Sequence, residues 1–224
     1  MSTTDLANQL SSYTGRLLRE RFGKGPESIY ASVGKQCIAL HIRNFIGPVE
    51  RFLLNKEEEQ AFRYTRELLM KSLLPELSAY LKEHLSAEVS ELFYDWGLHN
   101  ASGMIVALIN QGDADSESYA GQEEVHMQIN EVSSKVQKEP VFTDSWWLNP
   151  RTLIIRREGI LIPLEKELIN LGYENTLKTT KRKMEKRYLE DDTTIGVMFG
   201  KKLSDIYVDW DFSLDTSVIA YTFE

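Results

Sequence analysis

Pro48-Val49-Glu50-Arg51-Phe52-Leu53-Leu54-Asn55 recurs 115 residues downstream as Pro163-Leu164-Glu165-Lys166-Glu167-Leu168-Ile169-Asn170. The proline, the glutamate and the asparagine are kept, and apolar and basic positions stay in step. A second pair comes next in the same order. Ser90-Glu91-Leu92-Phe93-Tyr94-Asp95-Trp96 matches Ser204-Asp205-Ile206-Tyr207-Val208-Asp209-Trp210 at an offset of 114. Generic helix starts and strands would give either match alone. Both matches, in order and at nearly one spacing, favour an internal duplication with one residue deleted between them.

Each copy reads outward from its Pro-x-Glu motif. A proline at a first helical turn loses no useful hydrogen bond, so Pro48 opens a helix. Upstream, residues 4–22 carry Leu6, Leu10, Tyr13, Leu17 and Leu18 at helical spacing, with Asp5 as a cap and Gly23 as a stop. Gly23-Lys24-Gly25-Pro26 turns the chain. Ser28–Val33 and Cys37–Ile42 form a hairpin about Gly34-Lys35. Downstream, Phe62, Leu69, Leu73, Leu77 and Leu81 mark a long helix to His84, with Pro75 placed to kink it. Two strands complete the copy, Val89–Asp95 and Met104–Ile109. One copy therefore reads α-β-β-α-β-β.

Residues 111–121 are small, acidic and polar, and read as a linker between a first unit, 1–110, and a second, 122–224. The second runs through the same order: a helix with Val125, Ile129, Val132 and Val136, a hairpin of Phe142–Leu148 and Thr152–Arg156, a long helix opened by Pro163, and strands Lys202–Asp209 and Ser217–Phe223. The expected class is α+β: two tandem two-layer units, packed as a pseudo-dimer in place of a homodimer.

Composition narrows the partners. The chain has 224 residues, 42% hydrophobic and 27% charged, with a net charge of −8. The acidic excess lies in the second half, which carries 14 basic and 21 acidic residues against 12 and 13 in the first. That balance argues against nucleic acid and against an anionic membrane surface. One cysteine, Cys37, forbids an intramolecular disulfide and suits a reducing compartment. There is no apolar run of about 18 residues to insert in a membrane, and the N-terminus lacks the pattern of a signal peptide. The expected location is cytoplasmic.

The order of motifs over residues 6–108 resembles the MpsC family: a helix, Gly23-Lys24-Gly25-Pro26, a hairpin, the Pro48-x-Glu50 helix start, a long helix and a strand ending at Asp95. The resemblance implies a bacterial component of a cation-translocating, membrane-potential-generating system; related gene clusters are linked to uptake of dissolved inorganic carbon. Family members are single units of roughly half this length, so this is a tandem form with a degenerate second copy. The family's threonine before Pro-x-Glu is Gly47 here and Ile162 in the second copy. Gly-Lys-Gly-Pro is reduced there to Lys138-Glu139-Pro140.

Five residues stand out as candidates for binding. Lys24 lies between Gly23 and Gly25, where backbone amides can cradle an anion beside a lysine. The order helix, loop, strand differs from a phosphate-binding P-loop, and the competing reading is a helix C-cap with a stop proline. Arg63 and Arg66 share one helix face. The resemblance implies an arginine in this region, for which Arg66 is the nearest match, with Lys181 opposite it in the second copy. They read either as an anion or partner contact near Lys24, or as a solvated face pairing with Glu59 and Glu67. Glu50 and Glu165 suit the dipole of a helix start. The four histidines lack metal-ligand spacing, so no metal or cofactor is expected. Cys37 reads as a core residue. Asp95-Trp96 and Asp209-Trp210 read as turn caps with an aromatic lid. Trp146 and Trp147 should face opposite ways.

Three functions fit these features. The favoured one is a non-catalytic accessory protein docked on membrane transporter subunits, since no catalytic constellation is legible. The second is a small-anion or nucleotide sensor or enzyme built on Gly23–Pro26. The third is a structural pseudo-dimer scaffold, open to further self-association.

Overall fold

A computed structural model describes residues 2–85, 88–110 and 118–224, and the chain divides into two units at Gly112/Asp113. The first contains α1 (Thr3–Phe22), β1 (Ser28–Val33), β2 (Cys37–Arg43), α2 (Pro48–Asn55), α3 (Glu59–His84), β3 (Glu88–Gly97) and β4 (Ser102–Asn110). The second contains α4 (Gln122–Val136), β5 (Phe142–Asn149), β6 (Thr152–Glu158), α5 (Pro163–Asn170), α6 (Glu174–Asp191), α7 (Thr194–Met198), β7 (Leu203–Asp211) and β8 (Thr216–Phe223). Each sheet is four-stranded and antiparallel, ordered β1-β2-β4-β3 and β5-β6-β8-β7. The α+β class and the two tandem units of the sequence reading are therefore present. Most of the expected linker, residues 111–117, lies outside the described residues. Its end does not: Tyr119 packs against the second unit's core.

The correspondence between the two units extends to the backbone. Asn44, Glu57 and Ala101 have positive φ, and so do Gly159, Gly172 and Asp215, at offsets of 115, 115 and 114. The buried faces of the first helices match at 115 throughout: Leu10, Thr14, Leu17 and Leu18 in α1 against Val125, Ile129, Val132 and Ser133 in α4. Between them, β5 gains one residue at a bulge between Trp147 and Asn149, which returns β6 to the offset of 115.

Two local expectations change. Ser2, not Asp5, caps α1; Asp5 sits three residues on and closes a capping box, its carboxylate accepting from the Ser2 N–H and hydroxyl. The long helix assigned to Pro163 is two helices, because Gly172 adopts φ 83° between α5 and α6. The helix α3 continues through Pro75.

In the first unit, α1 and α3 cover the sheet face carrying Ile38, Leu40, Ile42, Ile105 and Ala107. The alternation of period two puts Cys37, Ala39, Met104, Val106 and Leu108 on the other face, and these are buried too. The Trp96 ring lies flat across Gly103, its cross-strand neighbour: a Cβ there would sit 2.4 Å from the ring. The second unit has Ser217 at this place, opposite Trp210, so Trp210 cannot adopt the pose of Trp96. Trp210 instead stacks on Phe212, whereas Trp96 meets Phe22, Phe45 and Tyr94.

Gly103→Ala should therefore cost the first unit about 1–3 kcal/mol through overpacking. Urea denaturation followed by tryptophan fluorescence measures it; an unchanged midpoint would mean that the ring moves aside freely.

Candidate functional site

The Pro-x-Glu motif places a carboxylate three residues past the N-cap of α2. Glu50 Oε2 accepts the Gly47 N–H at 2.6 Å, filling one of the amides that a helix start leaves open. The same carboxylate turns inward. Arg66, 16 residues further on and within α3, donates from Nε to Glu50 Oε1 at 2.7 Å and from Nη2 to Oε2 at 3.0 Å. Its Nη2 also donates to the Phe45 carbonyl. Arg66 is 1% exposed. Its guanidinium lies 4.1 Å from the Trp96 ring centroid, 4.8 Å from Phe62, 4.9 Å from Phe45 and 5.5 Å from Phe22. Burial pushes the Arg66 pKa down, and the hydrogen bond and charge of Glu50 oppose that shift.

The second unit repeats the arrangement with a lysine. Glu165 Oε2 accepts the Ile162 N–H at 3.1 Å, and Lys181 Nζ donates to Glu165 Oε1 at 2.6 Å. Lys181 also donates to Gln137, at the place of Phe22, and lies 5.6 Å from the Trp210 ring. Burial lowers the Lys181 pKa, and Glu165 again opposes. The pair spans 16 residues in both units. A point cation with three donors replaces the planar fork, so the lysine meets Glu165 through one oxygen where Arg66 meets Glu50 through both.

The candidates read from sequence separate into two groups. Arg66 is in the protein interior, contrary to a solvated face, and its carboxylate is Glu50, not Glu67; Glu67 accepts from the Tyr94 hydroxyl at 2.6 Å. Arg63 does pair with Glu59, at 2.8 Å. Gly23 is the left-handed C-cap of α1, at φ 70°. Lys24 Nζ donates to the Ile46 carbonyl at 3.2 Å, tying the loop to the segment that leads into α2. The Arg19 guanidinium lies against Gly25, 3.0 Å from where a Cβ would stand. Glu50 carries a role beyond the helix dipole, and Asp209 one beyond turn capping: it pairs with Lys178 at 2.8 Å and Arg182 at 2.7 Å. The sequence held the signal for the first of these, since Glu50 and Arg66 keep their offset of 115 with Glu165 and Lys181.

One further group was invisible in the sequence. Ser145 Oγ is within 2.8 Å of His126 Nε2 and 2.7 Å of the Tyr119 hydroxyl. A serine beside a histidine is the start of a nucleophilic arrangement, but Ser145 is fully buried, and its oxygen is a junction fastening Tyr119 and α4 to β5. Burial pushes the Tyr119 pKa up to about 12. Trp146 is buried, while Trp147 packs with Tyr119, Phe199 and Phe223. Among the described residues, no group of three or more His, Cys, Asp or Glu is placed to hold a metal ion.

Glu50→Gln should destabilise the first unit by about 3–5 kcal/mol, because it strands a buried guanidinium. The double variant Glu50→Leu/Arg66→Met should lose much less, and a double-mutant cycle from denaturation curves gives the coupling. Burial also lowers the His126 pKa from 6.5. The unfolded chain then binds the proton first as pH falls, so the contribution of this residue is complete above 6.5 and declines below it. Melting across this range should show the decline, and His126→Gln should reduce it.

A family model described as Na+-translocating membrane potential-generating system (MpsC) matches residues 2–111. No curated protein and no solved structure shows significant similarity to the chain. The matched stretch runs from α1 to β4 and holds the Gly23–Pro26 loop, the Pro48-x-Glu50 start and Arg66. The first unit of this chain belongs to the MpsC family.

Proposed function

We propose that the protein is a non-catalytic accessory component at the cytoplasmic face of a membrane system that translocates cations or inorganic carbon. The family match over residues 2–111 carries this reading. Among the described residues no helix is long and apolar enough to cross a membrane, so the membrane part of such a system would lie in other subunits. Surface chemistry supports docking. Val49 and Leu164 are equivalent, apolar and 73% and 65% exposed. Phe52 on α2 is also exposed. These side chains project from helices whose inner faces are fixed by Glu50 and Glu165, and exposed apolar groups on a fixed support suit a protein partner.

The test is capture of the tagged chain from detergent-solubilised membranes of the host. Recovery of a cation-translocating membrane subunit is expected, together with its loss in Val49→Asp/Phe52→Asp and retention of the native melting curve. Capture of no membrane subunit would sink the reading.

A second reading keeps the Gly23–Pro26 loop as an anion site. Its support is the convergence of Arg19 on Gly25, beside Lys24. Inorganic phosphate or bicarbonate should then raise the melting temperature, and Lys24→Ala should abolish the rise.

A further inference from the structure

Four touching core positions change from apolar to polar between the units. Leu18, Ile42, Met70 and Gly103 of the first become Ser133, Arg157, Glu185 and Ser217 of the second, at the duplication offsets of 115, 115, 115 and 114. The register confirms two of them: Ile42 pairs with Gly103 across β2 and β4, and Arg157 with Ser217 across β6 and β8. Leu18, Ile42 and Met70 are fully buried. So are Ser133, Arg157, Glu185 and Ser217. The four polar groups form one set. Arg157 Nε donates to Ser217 Oγ at 2.9 Å, Nη1 donates to Ser133 Oγ at 2.8 Å, and Nη1 is ion-paired with Glu185. One residue comes from each of α4, β6, α6 and β8.

This set is poorly designed for stability. Removing two charges from water is repaid only when their remaining donors and acceptors are satisfied. Arg157 Nη2 and Glu185 Oε2 lack hydrogen-bond partners among the described residues. The first unit fills the same space with side chains that carry no such penalty.

The set does suit discrimination. A tandem duplication offers each sheet two sets of helices with nearly matching faces, and exchange of equivalent elements is a characteristic failure of repeated units. Here three exchanges are marked. α3 on the second sheet would set Met70 against an unpaired Arg157. α6 on the first would set Glu185 against Ile42. α1 in place of α4 would remove the hydroxyl that Arg157 uses. Each error buries an unpaired charge or polar group, which is strongly destabilising.

We infer that Ser133, Arg157, Glu185 and Ser217 are a specificity-determining set that keeps the helices of each unit on their own sheet and prevents exchange with the other unit or with a second copy of the chain. The set acts against wrong assemblies and adds nothing to the right one.

The experiment replaces the set with its first-unit counterparts, Ser133→Leu/Arg157→Ile/Glu185→Met/Ser217→Gly, in the full chain. Two differently tagged copies are unfolded, mixed and refolded together. The all-apolar variant should fold with a denaturation midpoint at or above that of the unaltered chain. Co-capture of the two tags should rise at least about fivefold, the change expected from a small loss of discrimination. The reciprocal variant, Leu18→Ser/Ile42→Arg/Met70→Glu, leaves Gly103 under the Trp96 ring, makes both cores polar and should raise co-capture as well. Unchanged co-capture in the all-apolar variant would overturn the inference. So would its failure to fold, which would show that the set supplies stability itself.

Discussion

A charge removed from water must be matched on the spot, and the pairing of Glu50 with Arg66 meets that demand by drawing distant segments together. Arg66 is held within four aromatic rings, where one carboxylate neutralises it. That carboxylate is also fixed from behind by the Gly47 amide. The start of α2, the middle of α3 and the loop carrying the Phe45 carbonyl therefore meet at one point. The Lys24 ammonium extends the junction to the end of α1 through the Ile46 carbonyl. Glu165 and Lys181 make the corresponding junction in the second unit. The motif that announces the duplication is thus the one that joins the helices of each unit.

The two copies have kept this junction while altering what surrounds it. Of the four rings about Arg66, Phe22, Phe45 and Phe62 correspond to Gln137, Ile160 and Leu177 in the second unit, and Trp96 is kept as Trp210 beside Lys181. A glutamine acceptor there compensates for a lysine that has donors left after meeting Glu165. Deeper in the core, Arg157 and Glu185 stand where the first unit has Ile42 and Met70. The fold accepts both cores because its positions are specified by burial and register.

Much of the fold was legible in the sequence because its signals are local. Pro48 and Pro163 mark helix starts, polar–apolar alternation marks β1, short apolar runs mark β2 and β4, and glycines mark ends. The order of strands was not legible, since the pairing of β2 with β4 joins residues 61 to 71 apart and leaves no local trace. The break at Gly172 was missed because a glycine within helical spacing reads equally as tolerated or terminal. At the site, Arg66 looked like an exposed charge because an arginine next to Glu67 reads as a surface residue. Its burial comes from Phe22, Phe45 and Trp96, which belong to three distant segments. Arg157 was concealed in the same way, standing one residue beyond the strand that the apolar run suggested.

The bulge between Trp147 and Asn149 gives one part of the fold latitude in length. The second unit has one residue fewer between α4 and β5, and the extra residue at the bulge restores the count before β6 begins. Length has been exchanged between a loop and an edge strand while the core positions of β6 kept their offset of 115. The segment joining the first helix to the first strand therefore accommodates a change in length of one residue, which the hairpin behind it absorbs.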